Sequence, residues 1–425
     1  MKTLLHVFLA FSATLPSIGA SAPPAAHGLV AHEWGTFTSV QGADGVQMEW
    51  NPGVVSDLPP FVYEISRVRS RNPLAALLKL DLRGRQRMET PVIYFYTDQP
   101  RSVDVAVTFP EGTITEWYPQ EGAADVMPRT AQVKKTQPAL RWKNVQLLPA
   151  GSSAAKALQL PIDAADSHYF AARETDAALV QTQEKGKTET EKFLFYRGVG
   201  SFQAPLTAKL EGVGGEVMHL SNTGAEALTA LFVTEIRGAK GRVIPAGDLG
   251  GKAEGTISLA EHEELRPLDE VRAALSAQMQ TALVKAGLYE REAAAMIKTW
   301  ESAWFGENGL RVLYILPRSW TDRVLPLKLT PAPRETARVM VGRAEMITLE
   351  KENALAENVD RYIKADAAER AAIVGATRQL ELGRFTEATL RRVIAREERD
   401  ATFKGLAWEL FQAASVPAVA TTASR

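Results

Sequence analysis

Cysteine is absent from the 425 residues. That excludes disulfides, thiol nucleophiles, thiolate metal sites and a lipidated N-terminal cysteine. Charge imbalance is absent too. The 49 Lys and Arg face 50 Asp and Glu, so net charge points neither to nucleic acid nor to an anionic membrane. No apolar run is long enough to span a bilayer. There is no HExxH, GxSxG, Walker sequence or Rossmann glycine fingerprint, so zincin, serine hydrolase, nucleotide and dinucleotide chemistry have no support. Histidine is scarce, with six in all. His6 and His27 lie in the N-terminal extension, which leaves His32, His168, His219 and His262.

That extension carries a targeting pattern. Lys2 precedes an apolar run from Leu4 to Leu15, followed by Pro16 and the small residues of 18–22. Basic, apolar and small-residue regions in that order form a secretory signal peptide. Residues 1–26 are therefore expected to be signal peptide and leader, cut at or just after Ala20. The mature chain is expected in the periplasm or outside the cell, where a chain without disulfides must stand on its core. Hydrophobic residues at 45% allow one, and the length suits one large or two ordinary domains.

From Leu29 to about Glu261 the pattern is short strands between glycine-containing turns, as in an all-β sandwich. Candidates include Val46–Trp50, Phe61–Val68, Val92–Thr97, Val103–Phe109, Thr113–Tyr118, Ala139–Leu148 and Leu228–Arg237. Asn72–Leu80 reads as a short helix with Pro73 in its first turn. Residues 181–192 are a charged, Thr-rich connection, a solvated hairpin or a mobile loop. The period then changes. Asp269 is a candidate N-cap for a helix ending before Gly287, and a second helix runs from about Tyr289 to Phe305. Strands return at Leu310–Leu316, Val324–Leu329 and Ala337–Thr348, which makes the helical pair (269–305) an insertion. Beyond Leu349 the chain is helical, with Asp366 a cap, Thr386 a second cap and Phe385 a hydrophobic staple. The expected fold is mainly β with α: a two-sheet β-sandwich over 27–348, a helical subdomain over 349–415 and a tail over 416–425.

The stretch LVAHEWGTFTSV, Leu29–Val40, sets the main question. In a strand, His32, Trp34, Thr36 and Thr38 share one face, while Ala31, Glu33, Gly35 and Phe37 share the other. His32 and Glu33 therefore cannot serve one small site. Glu33 lies on the more apolar face and needs a partner; an arginine fork suits it. Arg197 and Arg343, each interrupting an apolar strand beside glycine, are the candidate partners for Glu33 or Glu174. The segment SHYFAARETDAA brings together His168, Arg173, Glu174 and Asp176, groups that could contact a polar ligand or provide acid–base chemistry. Glu301, beside Trp300 and Trp304, is a candidate general acid. Asp322 and Glu345 are further polar candidates. His32 and His168 are the candidate metal ligands, although no ligand spacing supports a metal. Eight tryptophans invite a carbohydrate reading, but those in strands and on the apolar helix face are expected to be core.

The strings HEWGTFTSV, METPVIYFY, ITEWYP, HYFAARETDA, EKFLFYRGVGSF, GLYEREAAAMIKTWESAWF, RVLYILPR, LPLKLTPAP and RVMVGRAEMIT resemble those of a family of exported bacterial proteins with no assigned activity. The resemblance covers about Leu29–Thr348. It implies one coherent exported domain and assigns no functional residue. The leading expectation is an exported protein that binds a polar ligand, a glycan or a peptide, in the cell envelope. The alternatives are a secreted hydrolase using carboxylate and histidine chemistry, with or without metal, and an envelope structural or assembly protein. Cofactor and oligomeric state stay open.

Overall fold

The computed structural model describes residues 28–51, 58–65, 82–120, 138–163, 167–212, 214–262, 264–396 and 401–415. The expected signal peptide, the helix at Asn72–Leu80 and the tail lie outside them.

The described chain is mainly β, in three sheets numbered here by strand order. The large sheet has ten strands. In spatial order they are β15 (Arg266–Pro267), β13 (Lys240–Leu249), β12 (Leu228–Arg237), β16 (Gly309–Ile315), β18 (Glu335–Ile347), β1 (Val30–Gly42), β3 (Gln86–Tyr96), β9 (Leu194–Gly200), β5 (Gly112–Tyr118) and β2 (Tyr63–Glu64). A five-stranded sheet holds β17 (Leu327–Thr330), β4 (Arg101–Thr108), β6 (Ala139–Leu148), β7 (Leu179–Glu184) and β8 (Lys187–Glu191). A three-stranded sheet holds β10 (Leu206–Glu211), β11 (Val217–Asn222) and β14 (Glu254–Ser258).

Strand β1 is the axis of the large sheet. It runs parallel to β18 and antiparallel to β3, and all thirteen of its residues are buried. Its alternation sorts two cores. Ala31 and Phe37 join one that gathers Val103, Val105, Leu140 and Trp142 from the five-stranded sheet and Leu206 and Met218 from the three-stranded sheet. Val30 and Trp34 join a second, formed with Leu275, Met279, Met296 and Trp304 of the helical hairpin. The small sheets thus cover one face of the large sheet and the hairpin covers part of the other. This is the sandwich with an inserted helical pair.

The hairpin helices span Leu268–Lys285 and Glu290–Phe305. The first starts one residue ahead of the expected cap: Pro267 stands at the cap position and Asp269 lies in the first turn. Gly287, at φ 116°, makes the turn between them, a conformation disfavoured for a side-chain-bearing residue. The C-terminal helices Leu349–Lys364, Ala367–Gln379, Thr386–Arg396 and Ala401–Ser415 enclose a third core, which includes Val40, Met48, Trp50 and Ile347 from the β region. Asp366 caps its helix, accepting from the N–H groups of Ala368 and Glu369.

Several local expectations change. Val46–Trp50 makes only isolated bridges, at Gln47 and Trp50, because Met48 and Trp50 turn into the helical core instead of pairing. Thr386 already has helical dihedrals, and its hydroxyl donates to the Gly383 carbonyl rather than capping. Residues 168–173 form a 3₁₀ turn capped by Ser167. Residues 318–324 are helical, so the strand expected from Val324 starts only at Leu327.

Candidate functional site

On the hairpin-facing side of the large sheet, apolar residues give way to a belt of charge. Register explains it. On β1, Thr36 faces Glu89 and Thr38 faces Arg87 across β3. On the other side Thr38 faces Arg343 of β18. Arg311 of β16 faces Glu345 of β18, and Glu116 of β5 faces Arg197 of β9. Every one of these charged residues is buried.

They are heavily paired. Thr38 Oγ1 donates to Glu89 Oε2 at 2.6 Å, and Arg384, reaching in from the C-terminal helices, donates to Glu89 Oε1 at 2.7 Å. Arg87 Nε lies 3.3 Å from the same oxygen. Glu345 Oε1 accepts from Arg311 Nε at 2.7 Å and from Arg343 Nε at 2.6 Å. Arg343 also donates to Glu307. Arg311 further donates to the carbonyls of Trp304 and Glu307, closing the C-terminal end of the second hairpin helix. Burial opposes ionisation of Glu89, but the guanidiniums of Arg384, Arg87 and Arg343 outweigh it and hold the carboxyl at about 2. Burial also opposes ionisation of Glu345, and Arg311 and Arg343 again prevail, so its pKa is lowered. Burial pushes the Arg87 guanidinium down to about 10, still charged at neutral pH.

Above this floor lies a cavity of about 790 Å³, within the usual size of a small-ligand site. Its walls come from three parts of the chain. Thr299, Trp300 and Ala303 belong to the hairpin, Arg384 and Phe385 to the C-terminal helices, and Trp50 to the segment after β1. The Arg384 guanidinium lies 5.3 Å from the Trp50 ring centre and 5.2 Å from that of Phe385. His168 is in the lining: Arg197 Nη2 donates to its Nε2 at 3.1 Å, and its ring lies 5.3 Å from that of Trp300. The imidazole nitrogen turned to the guanidinium must be the acceptor, since arginine has none.

Of the residues nominated from sequence, His168, Arg197, Arg343 and Glu345 meet here. The others do not. Glu33 is on the opposite face of β1, as alternation requires. It accepts from Arg338 Nε at 2.6 Å and from the Tyr196 hydroxyl. Its partner is therefore Arg338, not Arg197 or Arg343, because Glu33 pairs in register with Arg338 on β18. His32 Nδ1 lies 2.7 Å from Glu292, which also accepts from Tyr96 and from the Tyr289 N–H. This buried group pins the start of the second hairpin helix to β1. Glu292 and Trp300 are separated by roughly 12 Å of helix, so His32 and His168 do not share a site. Among the described residues no cluster of three or more His, Asp or Glu could hold a metal ion.

Arg173 grips Glu191 through two bonds, of 2.9 and 2.7 Å, on the far side of the 3₁₀ turn. Glu174 and Asp176 pair with Lys298 and Arg291 on the outer surface of the hairpin. Glu301 is exposed, and Asp322 serves Arg338. The acid, base and cation of residues 168–176 thus diverge, and the turn clips the loop to the helix. Sequence reasoning missed Arg87, Glu89, Glu307, Arg311 and Arg384. Only Arg87 and Glu89 carried a usable signal: they alternate at the entrance to the apolar run of β3.

No family model matches the chain, and no curated protein matches it. Among solved structures, the yeast delta-COP-I mu-homology domain complexed with a Dsl1 WxWxV peptide is similar over 76% of this chain and 98% of that one. The identity is 8% and the TM-score 0.28. The same domain without peptide gives 77%, 100%, 8% and 0.27. Likeness at that level carries no argument about fold or function.

Proposed function

We propose that the protein is exported and binds a polar ligand, a glycan or a peptide of the cell envelope, in the cleft between the helical hairpin and the C-terminal helices. The observation that carries the reading is the cleft itself: a cavity of ligand size over a buried floor of paired arginines and glutamates. Polar groups at the bottom of a concave site fix the orientation of a bound molecule. Export rests on the signal-peptide pattern of residues 1–26.

The test is a screen of the purified mature protein against envelope-derived oligosaccharides and short peptides. Thermal unfolding gives the first readout and titration calorimetry the second. A ligand at about 100 times its Kd adds about 2.7 kcal/mol of stability, a rise of about 3 °C for a chain of this length. Ala303→Trp projects an indole into the cleft, takes up part of its volume and should abolish the shift. Binding that survives Ala303→Trp, or a screen in which no compound binds, refutes the reading. Fractionation of expressing cells tests export, with the N-terminus of the exported chain expected near Ser21.

A further inference from the structure

We infer that the cleft takes a ligand with a single carboxylate, held by Arg384 with Arg343 beneath it. This rests on the binding reading above and adds the chemistry of the ligand.

The first support is the kind of polar atom left over. Among the described residues lining the cleft, Trp50 Nε1, Trp300 Nε1 and Arg384 Nε and Nη2 are buried and have no hydrogen-bond partner. Beneath them, Arg343 Nη1 is in the same state on a fully buried side chain. All are N–H donors. The acceptors are already engaged: Glu89 by Thr38, Arg87 and Arg384, Glu345 by Arg311 and Arg343, and Glu307 by Arg343. Buried donors are costly to leave unmade. The group that completes such a site offers acceptors only, and an ionised carboxylate does so with a geometry that matches guanidinium.

The second support is charge. Among the described residues of the floor, the guanidiniums of Arg87, Arg197, Arg311, Arg343 and Arg384 outnumber the carboxylates of Glu89, Glu116, Glu307 and Glu345 by one. At the rim Lys351 and Arg378 are matched by Glu381 and Glu387. A single carboxylate matches that excess, whereas a dianion would bring surplus negative charge beside Glu89 and Glu345.

Calorimetry on the full mature chain tests this with paired probes. Sodium glucuronate is set against methyl glucoside, N-acetyl-Ala-Ala against its C-terminal amide, and inorganic phosphate serves as the rival oxyanion. Each carboxylate should bind about tenfold or more tighter than its neutral counterpart, and the glucuronate and peptide arms tell which scaffold the walls prefer. Arg384→Gln should erase the preference and Arg384→Lys should keep part of it. Trp300→Phe, which removes an N–H at little change in core volume, should weaken carboxylate binding several-fold even if Arg384→Gln unsettles the fold. Neutral probes that bind as tightly as charged ones overturn the inference and leave the broader binding reading standing. A carboxylate preference intact in a folded Arg384→Gln protein, or phosphate binding tighter than either carboxylate, also overturns it. No binding by any probe does the same, and the library screen then decides the broader reading on its own.

Discussion

Replacing Glu33 by glutamine tests the reading of β1 most directly. Glu33 and Arg338 are both buried, and the guanidinium divides its bonds among Glu33, Asp322 and the Leu325 carbonyl. Glutamine keeps the shape and an acceptor for the Tyr196 hydroxyl, but removes the charge that faces Arg338. Asp322 cannot replace it, since its side chain is half exposed and water screens it. Breaking one side of a buried pair costs about 3–5 kcal/mol. At about 2.1 cal/mol/K per residue, the unfolding entropy of this chain is about 0.8 kcal/mol/K, so the melting temperature should fall by about 5 °C. Replacing both partners together, Glu33→Met with Arg338→Met, removes the uncompensated charge and should recover much of the loss. Calorimetric unfolding of the wild type, Glu33→Met, Arg338→Met and the double variant measures the coupling, expected at about 2–3 kcal/mol. A Glu33→Gln protein within about 1 °C of wild type, or strictly additive variants, would refute the claim that this pair fixes β1 against β18.

Three other perturbations follow from the same structure. Glu89 has its folded pKa depressed to about 2 from the ordinary 4.5. It therefore contributes stability that is complete above pH 4.5 and lost as pH falls towards 2, about 3 kcal/mol in all; Glu89→Gln should flatten this part of the acid-unfolding profile, and identical profiles would count against the ionised pair. Glu292→Ala strips acceptors from His32, Tyr96 and the Tyr289 N–H at once, and should cost about 3 kcal/mol, with hydrogen exchange rising first in Glu290–Phe305. Gly342→Ala drives a methyl group into the buried Tyr314 ring, 2.2 Å away before relaxation; denaturant unfolding should register a loss of about 1–3 kcal/mol, and a neutral result would mean that the ring has room to move.

What the sequence could reveal follows from how far each signal reaches along the chain. Period-two alternation is local, so the opposed faces of His32 and Glu33 were legible, and so were Ala139–Leu148 and Leu228–Arg237, whose ends agree with β6 and β12. The partner of Glu33 was not. Arg338 lies 305 residues away, and its pairing depends on a parallel register that no local pattern encodes. Arg338 and Arg343 are an odd number of positions apart, so they point to opposite faces of β18. One meets Glu33 and the other meets the belt, and only the sheet order tells which. Arg384 was hidden for a different reason. In LGRFTE it reads as a solvated turn residue, and its burial comes from tertiary packing against Trp50 and Glu89.

The belt itself demands a reason beyond stability. Buried ion pairs are often no more stabilising than well-packed apolar residues of the same volume, and here charged groups occupy the middle of the central sheet. Their arrangement is informative. Two cations of the belt are held in place by carboxylates before any ligand arrives: Arg384, in the cavity wall, by Glu89, and Arg343, beneath it, by Glu307 and Glu345. A guanidinium fixed in this way loses little rotamer freedom on binding, and its unused N–H groups keep a set direction. Affinity gained by such preorganisation comes from costs already met during folding. It also explains why the C-terminal helices share a core with Val40, Met48, Trp50 and Ile347. Arg384 can complete the floor only if the element that carries it is rigidly seated on the β region. Weakening that seat, for example with Met48→Ala, which lies in the shared core and outside the cavity lining, should therefore lower ligand affinity even though the belt residues on the sheet are untouched.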